Sequence, residues 1–269
     1  MRSARLLVKA AAAAADVVRG PQPGLVVLIY HRVGRRTSVE VDLPLDLFEA
    51  QVRFLAEECR VVTLGEGLRL VASEPPPPET VVAVTFDDGT ADFADLAVPV
   101  LERFGLPATL YAATHFIDTG EEFPDAGTPV SWAALRDVCS TGLVRVGSHT
   151  HDHALLDRLP VGEVADQLDR SIELIGERLG ATPEHFAYPK AVLGSPEAQA
   201  QVRARFRSAA LAGTRPNRFA DTDHYQLARS PVQVSDGMRW FTKKVRGGMA
   251  FEDSLRRRLN RSRYAGATT

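Results

Sequence analysis

A chain of 269 residues, 45% apolar and 25% charged, is long enough for one large α/β domain or two small ones and can bury a sizeable core. The net charge of -2 argues against a polyanion binder, so nucleic acid is not an expected partner. Two cysteines, Cys59 and Cys139, are too few for a disulfide framework and read as reduced thiols. No stretch carries the ~18 apolar residues of a membrane span.

The N-terminus, Met1 to Ala15, has a basic start and a run of alanines. A signal peptide shares those features, but Lys9 interrupts the apolar stretch and alanine is the best helix former. The reading is a surface helix ending near Arg19-Gly20-Pro21, and without a signal the expected location is the cytoplasm or the inner membrane face. Leu25 to Ile29 is a buried strand that runs into Tyr30-His31-Arg32. Leu47 to Cys59 has apolar residues at helical spacing, Val61 to Leu64 is a short extended piece, and Leu64 to Ala72 is another helix. Pro75 to Pro78 forms a stiff loop.

Val81 to Phe86 is the central strand, apolar and mostly β-branched, and it ends in Asp87-Asp88-Gly89. Phe93 to Phe104 reads as a helix in which Pro99 imposes a kink or a break. Ala108 to Ala113 is a strand with Thr114 and His115 at its end. Asp118 to Pro129 is a loop long enough to be a lid or a substrate-facing insertion, and Trp132 to Cys139 is a helix. Leu143 to Gly147 is a strand leading to Ser148-His149-Thr150-His151-Asp152-His153. Val164 to Leu179 is an amphipathic helix closed by Gly180. The strand end Phe186 to Pro189, the helix Glu197 to Phe206 and the strands Ser208 to Ala212 and Gln226 to Arg229 complete the alternation. Repeated strand and helix argue a parallel sheet, open or closed into a barrel, with a site at the C-terminal strand ends.

Paired acids at the end of a buried strand repel each other and lose hydration, so they need a compensating group. His149 and His153 are four apart; on a helical turn both rings would share one face, with His151 pointing elsewhere. Together with a carboxylate they make a two-histidine, one-acid ligand set for a catalytic divalent ion. Adjacent residues at a strand end point in different directions. One aspartate can therefore bind the ion while the other stays free as a candidate general base.

Thr85-Phe86-Asp87-Asp88-Gly89 and His149-Thr150-His151-Asp152-His153 resemble the first two motifs of the polysaccharide deacetylase family with the NodB-homology domain, carbohydrate esterase family 4. Pro107-Ala108-Thr109, Trp132 and Gly147-Ser148 also sit where that family has similar residues, and the resemblance covers Leu25 to Val234. It implies a distorted (β/α)7 barrel and a metal-dependent hydrolase that removes N-acetyl groups from a polysaccharide or oligosaccharide. It implies Asp87 as general base acting on a water activated by the ion, and Asp88, His149 and His153 as metal ligands. The implied cofactor is a divalent ion such as zinc; nickel, cobalt and manganese also suit the ligand set.

The family's usual Arg-x-x-Pro-Tyr and Leu-x-x-x-His motifs are absent in that form. Tyr30-His31 and Tyr188-Pro189-Lys190 instead resemble the branch that includes deacetylases of biofilm poly-N-acetylglucosamine. That resemblance implies His31 as the general acid, against the competing reading of a structural histidine. It implies that Tyr188 and Pro189 line the site, against a packed core tyrosine. The branch often carries Gly where this chain has Ala191. Arg229 could orient Asp87 or make a surface ion pair. His115 and His224, each a lone loop histidine, are weaker candidates for the acid. The expected organisation is an extension over residues 1–22, the deacetylase domain over 23–235 and a basic segment over 236–269. In that segment Trp240 and Phe241 interleave with Lys and Arg; it could contact an anionic polysaccharide or the membrane surface, or be a solvated helix and tail. Two other functions remain open from the residues: an O-acetyl carbohydrate esterase using the same site, and a catalytically silent sugar-binding protein.

Overall fold

The computed structural model describes residues 23–250 together with Lys9 and Ala12. The chain enters the sheet at β1 (Leu25–Tyr30), makes two short paired strands, β2 (Arg32–Val33) and β3 (Asp42–Leu43), and continues into α1 (Leu45–Glu58). The short β4 (Arg60–Val61) and α2 (Leu64–Val71) lead to β5 (Val81–Phe86). A π-helical turn (Phe93–Ala97) and α3 (Val98–Arg103) follow, then β6 (Ala108–Ala112), α4 (Thr114–Thr119), α5 (Trp132–Ser140), β7 (Val144–Ser148) and α6 (Val161–Leu179). The remaining elements are β8 (His185–Ala187), α7 (Pro196–Arg205), β9 (Ser208–Ala212), β10 (Leu227–Pro231) and α8 (Gly237–Val245).

β1 pairs in parallel with β10 on one side and β5 on the other. The order β1-β10-β9-β8-β7-β6-β5 therefore returns to β1, and seven parallel strands close into a barrel. This is the distorted (β/α)7 architecture. It is irregular because β8 has only three residues and no helix separates β9 from β10.

Side chains alternate along each strand. Leu25, Val27, Val81, Ala83, Tyr111, Ala187, Ala210 and Leu227 fill the lumen as one apolar cluster. Their neighbours Val26, Leu28, Tyr30, Val82, Val84 and Phe86 face outward into the main core, under the helices. The same parity carried past the strand ends places His31, Asp87, His149 and Arg229 on the lumen side. On the outside, α1 buries Phe48, Gln51, Val52 and Leu55 at helical spacing. Each apolar one contributes ~1.5–3 kcal/mol, and Gln51 accepts from the Tyr30 hydroxyl at 3.1 Å. A glycine is required at Gly147, where a Cβ would lie 2.7 Å from the His185 carbonyl and 2.8 Å from the Tyr111 ring.

Some elements differ from the sequence reading. The kink expected at Pro99 appears as the π-helical turn just before it, because Pro99 has no N–H to continue the ladder. The 118–129 loop is pinned by contacts to Arg32 and Phe116. Arg32 donates to the carbonyls of Pro124 at 2.5 Å and Asp125 at 2.8 Å, and Phe123 stacks on Phe116 with centroids 4.3 Å apart. α8 lies in the basic C-terminal segment, yet Phe241 and Val245 belong to the main core and Phe241 meets Phe54 edge-on. The rest of that segment, from 251 on, lies outside the described residues, as does the expected N-terminal helix apart from Lys9 and Ala12, both helical and buried. Both cysteines are free, and burial pushes the Cys59 thiol up to about 11. Among the described residues no helix is long and apolar enough to cross a membrane.

Candidate active site

The site gathers at the C-terminal mouth of the barrel. Asp87 follows the inward parity of β5, and its backbone N–H is tied to the Tyr30 carbonyl at 3.0 Å. Inside the lumen Arg229 donates to both of its oxygens, Nη1 to Oδ1 at 2.6 Å and Nη2 to Oδ2 at 2.9 Å. Thr85 Oγ1 donates to the Leu28 carbonyl at 2.7 Å and accepts from Arg229 Nη1 at 3.2 Å. The guanidinium also lies 4.9 Å from the Tyr111 ring centroid. Burial pushes the Asp87 carboxyl up, but Arg229, then His149 and more weakly His31, outweigh it and hold the group well below the usual carboxylate range.

Asp88 points elsewhere. Its φ of 72° is left-handed and turns the carboxylate away from Asp87 toward residues 149–153. Gly89 continues the turn at φ 107°, where a Cβ would press on Ile117 Cδ1 at 2.9 Å.

The helical turn expected for His149 to His153 is absent. The segment is a loop in which Thr150 (φ 65°) and His153 (φ 57°) are left-handed. The loop folds back on itself and brings the two rings to 4.9 Å between centroids. Its backbone is held by α4, with the N–H of His115 donating to the His151 carbonyl at 3.0 Å.

His149 Nδ1 lies 2.8 Å from the Ala187 carbonyl. A carbonyl can only accept, so Nδ1 carries the proton and Nε2 turns its lone pair to the site. That Nε2 is 3.8 Å from Asp88 Oδ1, and His153 Nε2 is 3.6 Å from the same oxygen. Ligand atoms of Asp88, His149 and His153 all lie within 4.8 Å of one another. Burial, reinforced by His149 and opposed by Asp88, lowers His153 to about 4, so the ring is neutral and its lone pair available. A tetrahedral ion bound at ~2.0–2.1 Å sets its ligands ~3.3 Å apart, so small adjustments fit the three to one ion. Asp87 Oδ2 stands 3.9 Å from His149 Nε2, and Asp87 is committed to Arg229.

His31 continues the inward parity of β1, and its Nδ1 is buried without a hydrogen-bond partner among the described residues. A buried ring nitrogen left open beside Asp87 suits a group that exchanges protons with a ligand.

Two expected site residues, Tyr188 and Pro189, are placed differently. Tyr188 has the outward parity of Phe186, meets that ring edge-on at 5.0 Å, and is buried in the cluster beneath α6 and α7. Burial pushes its hydroxyl up to about 12. Its N–H is spent on the Ala210 carbonyl at 3.0 Å, so neither its side chain nor its amide lines the mouth. Pro189 is buried in the short turn that follows and has no N–H to offer. Arg229 orients Asp87, one of the two roles expected for it, and at 1% exposure it does so from within the lumen, where it meets neither the surface nor a substrate. His115 sits on α4, partly buried beside His151.

Sequence reasoning missed Lys190. Lys190 and Ala191 are left-handed, at φ 52° and 56°, and the Lys190 ammonium is near enough to help depress the His153 pKa. No spacing pattern marks it, because the turn and not a strand or helix period aims the side chain.

The polysaccharide deacetylase family profile matches residues 74–208. The Bacillus subtilis (strain 168) protein YxkH is 25% identical over 215 residues, covering 80% of this chain and 72% of its own. The poly-beta-1,6-N-acetyl-D-glucosamine N-deacetylase of Staphylococcus epidermidis is 30% identical over 147 residues, with 53% of this chain matched to 48% of that protein. The chain therefore spans about half the length of that relative. Among solved structures, IcaB from Ammonifex degensii superposes with a TM-score of 0.72 at 26% identity, covering 84% of this chain and 98% of that one. The Streptococcus pyogenes deacetylase PplD, at 18% identity and a TM-score of 0.71, shares the fold. With the barrel and the acid–histidine mouth described, the matched region identifies this chain as a member of the polysaccharide deacetylase family.

Proposed function

We propose that this deacetylase removes N-acetyl groups from a glycan of linked N-acetylhexosamines, with a divalent ion held by Asp88, His149 and His153. The observation that carries the reading is the division between two adjacent acids. Asp88 faces two histidines within ligand reach, while Asp87 is locked onto Arg229 beside them. The donor set fits zinc or a neighbouring transition ion better than magnesium or calcium, which prefer oxygen ligands. A bound ion supplies Lewis acidity toward a water and toward the acetyl carbonyl.

The chain's own groups do the rest. Asp87, kept ionised by Arg229, takes a proton from the attacking water. Its fixed orientation spares the cost of arranging the base at each turnover. His31, on the same lumen side, gives a proton to the departing amine nitrogen, and the acetyl group leaves as acetate. Lys190 at the rim offers a cation to substrate hydroxyls or to the acetate product. The relatives named as poly-beta-1,6-N-acetyl-D-glucosamine N-deacetylases support an N-acetylglucosamine polymer as the substrate class.

Acetate release tests this, measured over N-acetylglucosamine oligomers of different linkage and over O-acetylated xylan, with chelator and with added zinc, nickel, cobalt or manganese. The expected result is release from an N-acetylated oligomer that chelator abolishes and one of these ions restores. Release from the O-acetylated glycan alone would make the protein an esterase. Binding of glycan without any release in the presence of metal would make it a sugar-binding protein.

A further inference from the structure

We propose that His115, His151 and Asp152 form a second divalent-cation site, distinct from the one at Asp88, His149 and His153. Ligand atoms of the three lie within 4.8 Å of one another. Asp152 Oδ1 is the shared centre, 3.4 Å from His115 Nδ1 and 3.6 Å from His151 Nε2. These separations are close to the ~3.3 Å between neighbouring ligands of a tetrahedral ion with bonds of ~2.0–2.1 Å.

The remaining polar atom of each ligand is held by another residue. His115 Nε2 lies 3.2 Å from Glu121 Oε2. Glu121 can accept from Nε2 in the tautomer whose Nδ1 lone pair faces Asp152, the form that binds an ion. His151 Nδ1 is bonded to Thr114 Oγ1 at 2.9 Å, which leaves Nε2 toward the same point. Asp152 Oδ2 accepts from Gln167 Nε2 at 2.6 Å, and the Asp152 N–H donates back to Gln167 Oε1 at 2.8 Å, so Oδ1 is the free oxygen. Carboxylate, hydroxyl and amide partners of this kind orient ligands and fix tautomers in metal sites.

Two imidazoles and one carboxylate select a zinc-type ion over calcium or magnesium. His115 is 33% and Asp152 50% exposed at the side chain, so an ion can enter and keep water in its open positions. Binding would cross-link α4 to the loop that carries His149 and His153, joining the two parts of the chain already tied by the His115 to His151 backbone bond.

The test is to count zinc in the full-length protein. The protein is stripped with chelator and equilibrated at fixed free zinc, and bound metal is measured by mass spectrometry. Wild type should hold two equivalents. His115→Ala and Asp152→Asn should each hold one fewer. In parallel, zinc should raise the Tm of Asp88→Asn and have no such effect on Asp88→Asn combined with His115→Ala. Equal zinc in wild type and in both single variants would overturn the site, as would a zinc-dependent Tm rise that survives in the combined variant. Loss of an equivalent in His115→Ala supports the second site whatever Asp88→Asn does. A failure of the catalytic-site reading is therefore distinguishable from a failure of this one.

Discussion

Arg229 grips Asp87 with both terminal nitrogens, at 2.6 and 2.9 Å, inside a barrel lumen that admits almost no solvent to either group. A paired ion of this kind is costly to break, because removing one partner strands the other charge in a poor solvent. Arg229→Gln should therefore destabilise the fold by ~3–5 kcal/mol in urea denaturation. Asp87→Asn keeps the side-chain shape and loses the base, and by the same argument it strands the Arg229 charge and lowers stability. It should retain its metal content and lower turnover by roughly 10²–10⁴-fold. Unchanged acetate release from Asp87→Asn would remove Asp87 from the chemistry.

His31 is assigned by position and by its open nitrogen. It follows β1 on the lumen side, and its Nδ1 is buried with no partner among the described residues. A structural histidine would satisfy that atom from a neighbour. His31→Ala should bind metal as wild type does and lose turnover by roughly 10²-fold or more. The loss should shrink on substrates with a better leaving group, since those need less protonation. A loss equal on both kinds of substrate would point to a packing role.

The turn after β8 separates two roles that sequence had merged. Tyr188 packs outward among Phe186 and its neighbours, so Tyr188→Phe should leave kcat/KM within about twofold, a change too small to represent a transition-state contact. Ala191 holds φ 56°, where an L-residue with a Cβ is strained. Ala191→Gly should relieve that strain and raise stability by ~0.5–1 kcal/mol, the residual after glycine's larger unfolded-state entropy. A destabilised Ala191→Gly would show that the left-handed turn is not kept in solution.

Asp236 is buried between two ammonium groups, accepting from Lys9 Nζ at 2.5 Å and Lys244 Nζ at 2.9 Å. Burial alone would raise its carboxyl, but Lys244 and then Lys9 outweigh it and hold the group low. Asp236→Ala leaves both cations in the interior without their shared acid. The expected cost is ~3–5 kcal/mol by urea denaturation. A cost below ~1 kcal/mol would mean that these cations reach solvent, as exposed pairs do.

The barrel was legible because strands covered on both faces are written as unbroken apolar runs, and Leu25 to Ile29 and Val81 to Phe86 are such runs. The rule that a parallel barrel's site lies at the C-terminal strand ends then carried Asp87 and His149 to one mouth. What that rule could not reach was local backbone. His149 and His153 at a four-residue spacing suit a helix, and nothing in Thr150 or His153 announces a left-handed φ, which such residues seldom adopt. Tyr188 was misplaced because β8 is three residues long, too short for its alternation to be read. The cluster of His115, His151 and Asp152 was hidden for a different reason. Its members follow neighbouring strands, and only the pairing of β6 with β7 brings them together.

The opposite end of the barrel offers a test of pH dependence away from the catalytic mouth. His185 is buried at the start of β8 beside a cavity of about 540 Å³, with Nδ1 2.9 Å from Ser208 Oγ. Burial, only partly offset by Glu184, lowers its pKa to about 4. An unfolded histidine titrates near ~6.5. Between those values the unfolded chain binds a proton that the folded chain refuses, so stability falls as pH drops through that window and levels off below about 4. At pH 7 both states are mostly neutral and the penalty is small. His185→Gln has no such proton to bind. Between pH 7 and pH 4.5 wild type should lose about 2 kcal/mol more stability than His185→Gln, measured by urea denaturation at both pH values. Carboxylates and the other histidines contribute equally to the two proteins and cancel in the difference. Parallel losses in both would show that His185 is protonated in the folded state, with the cavity giving its Nε2 access to water.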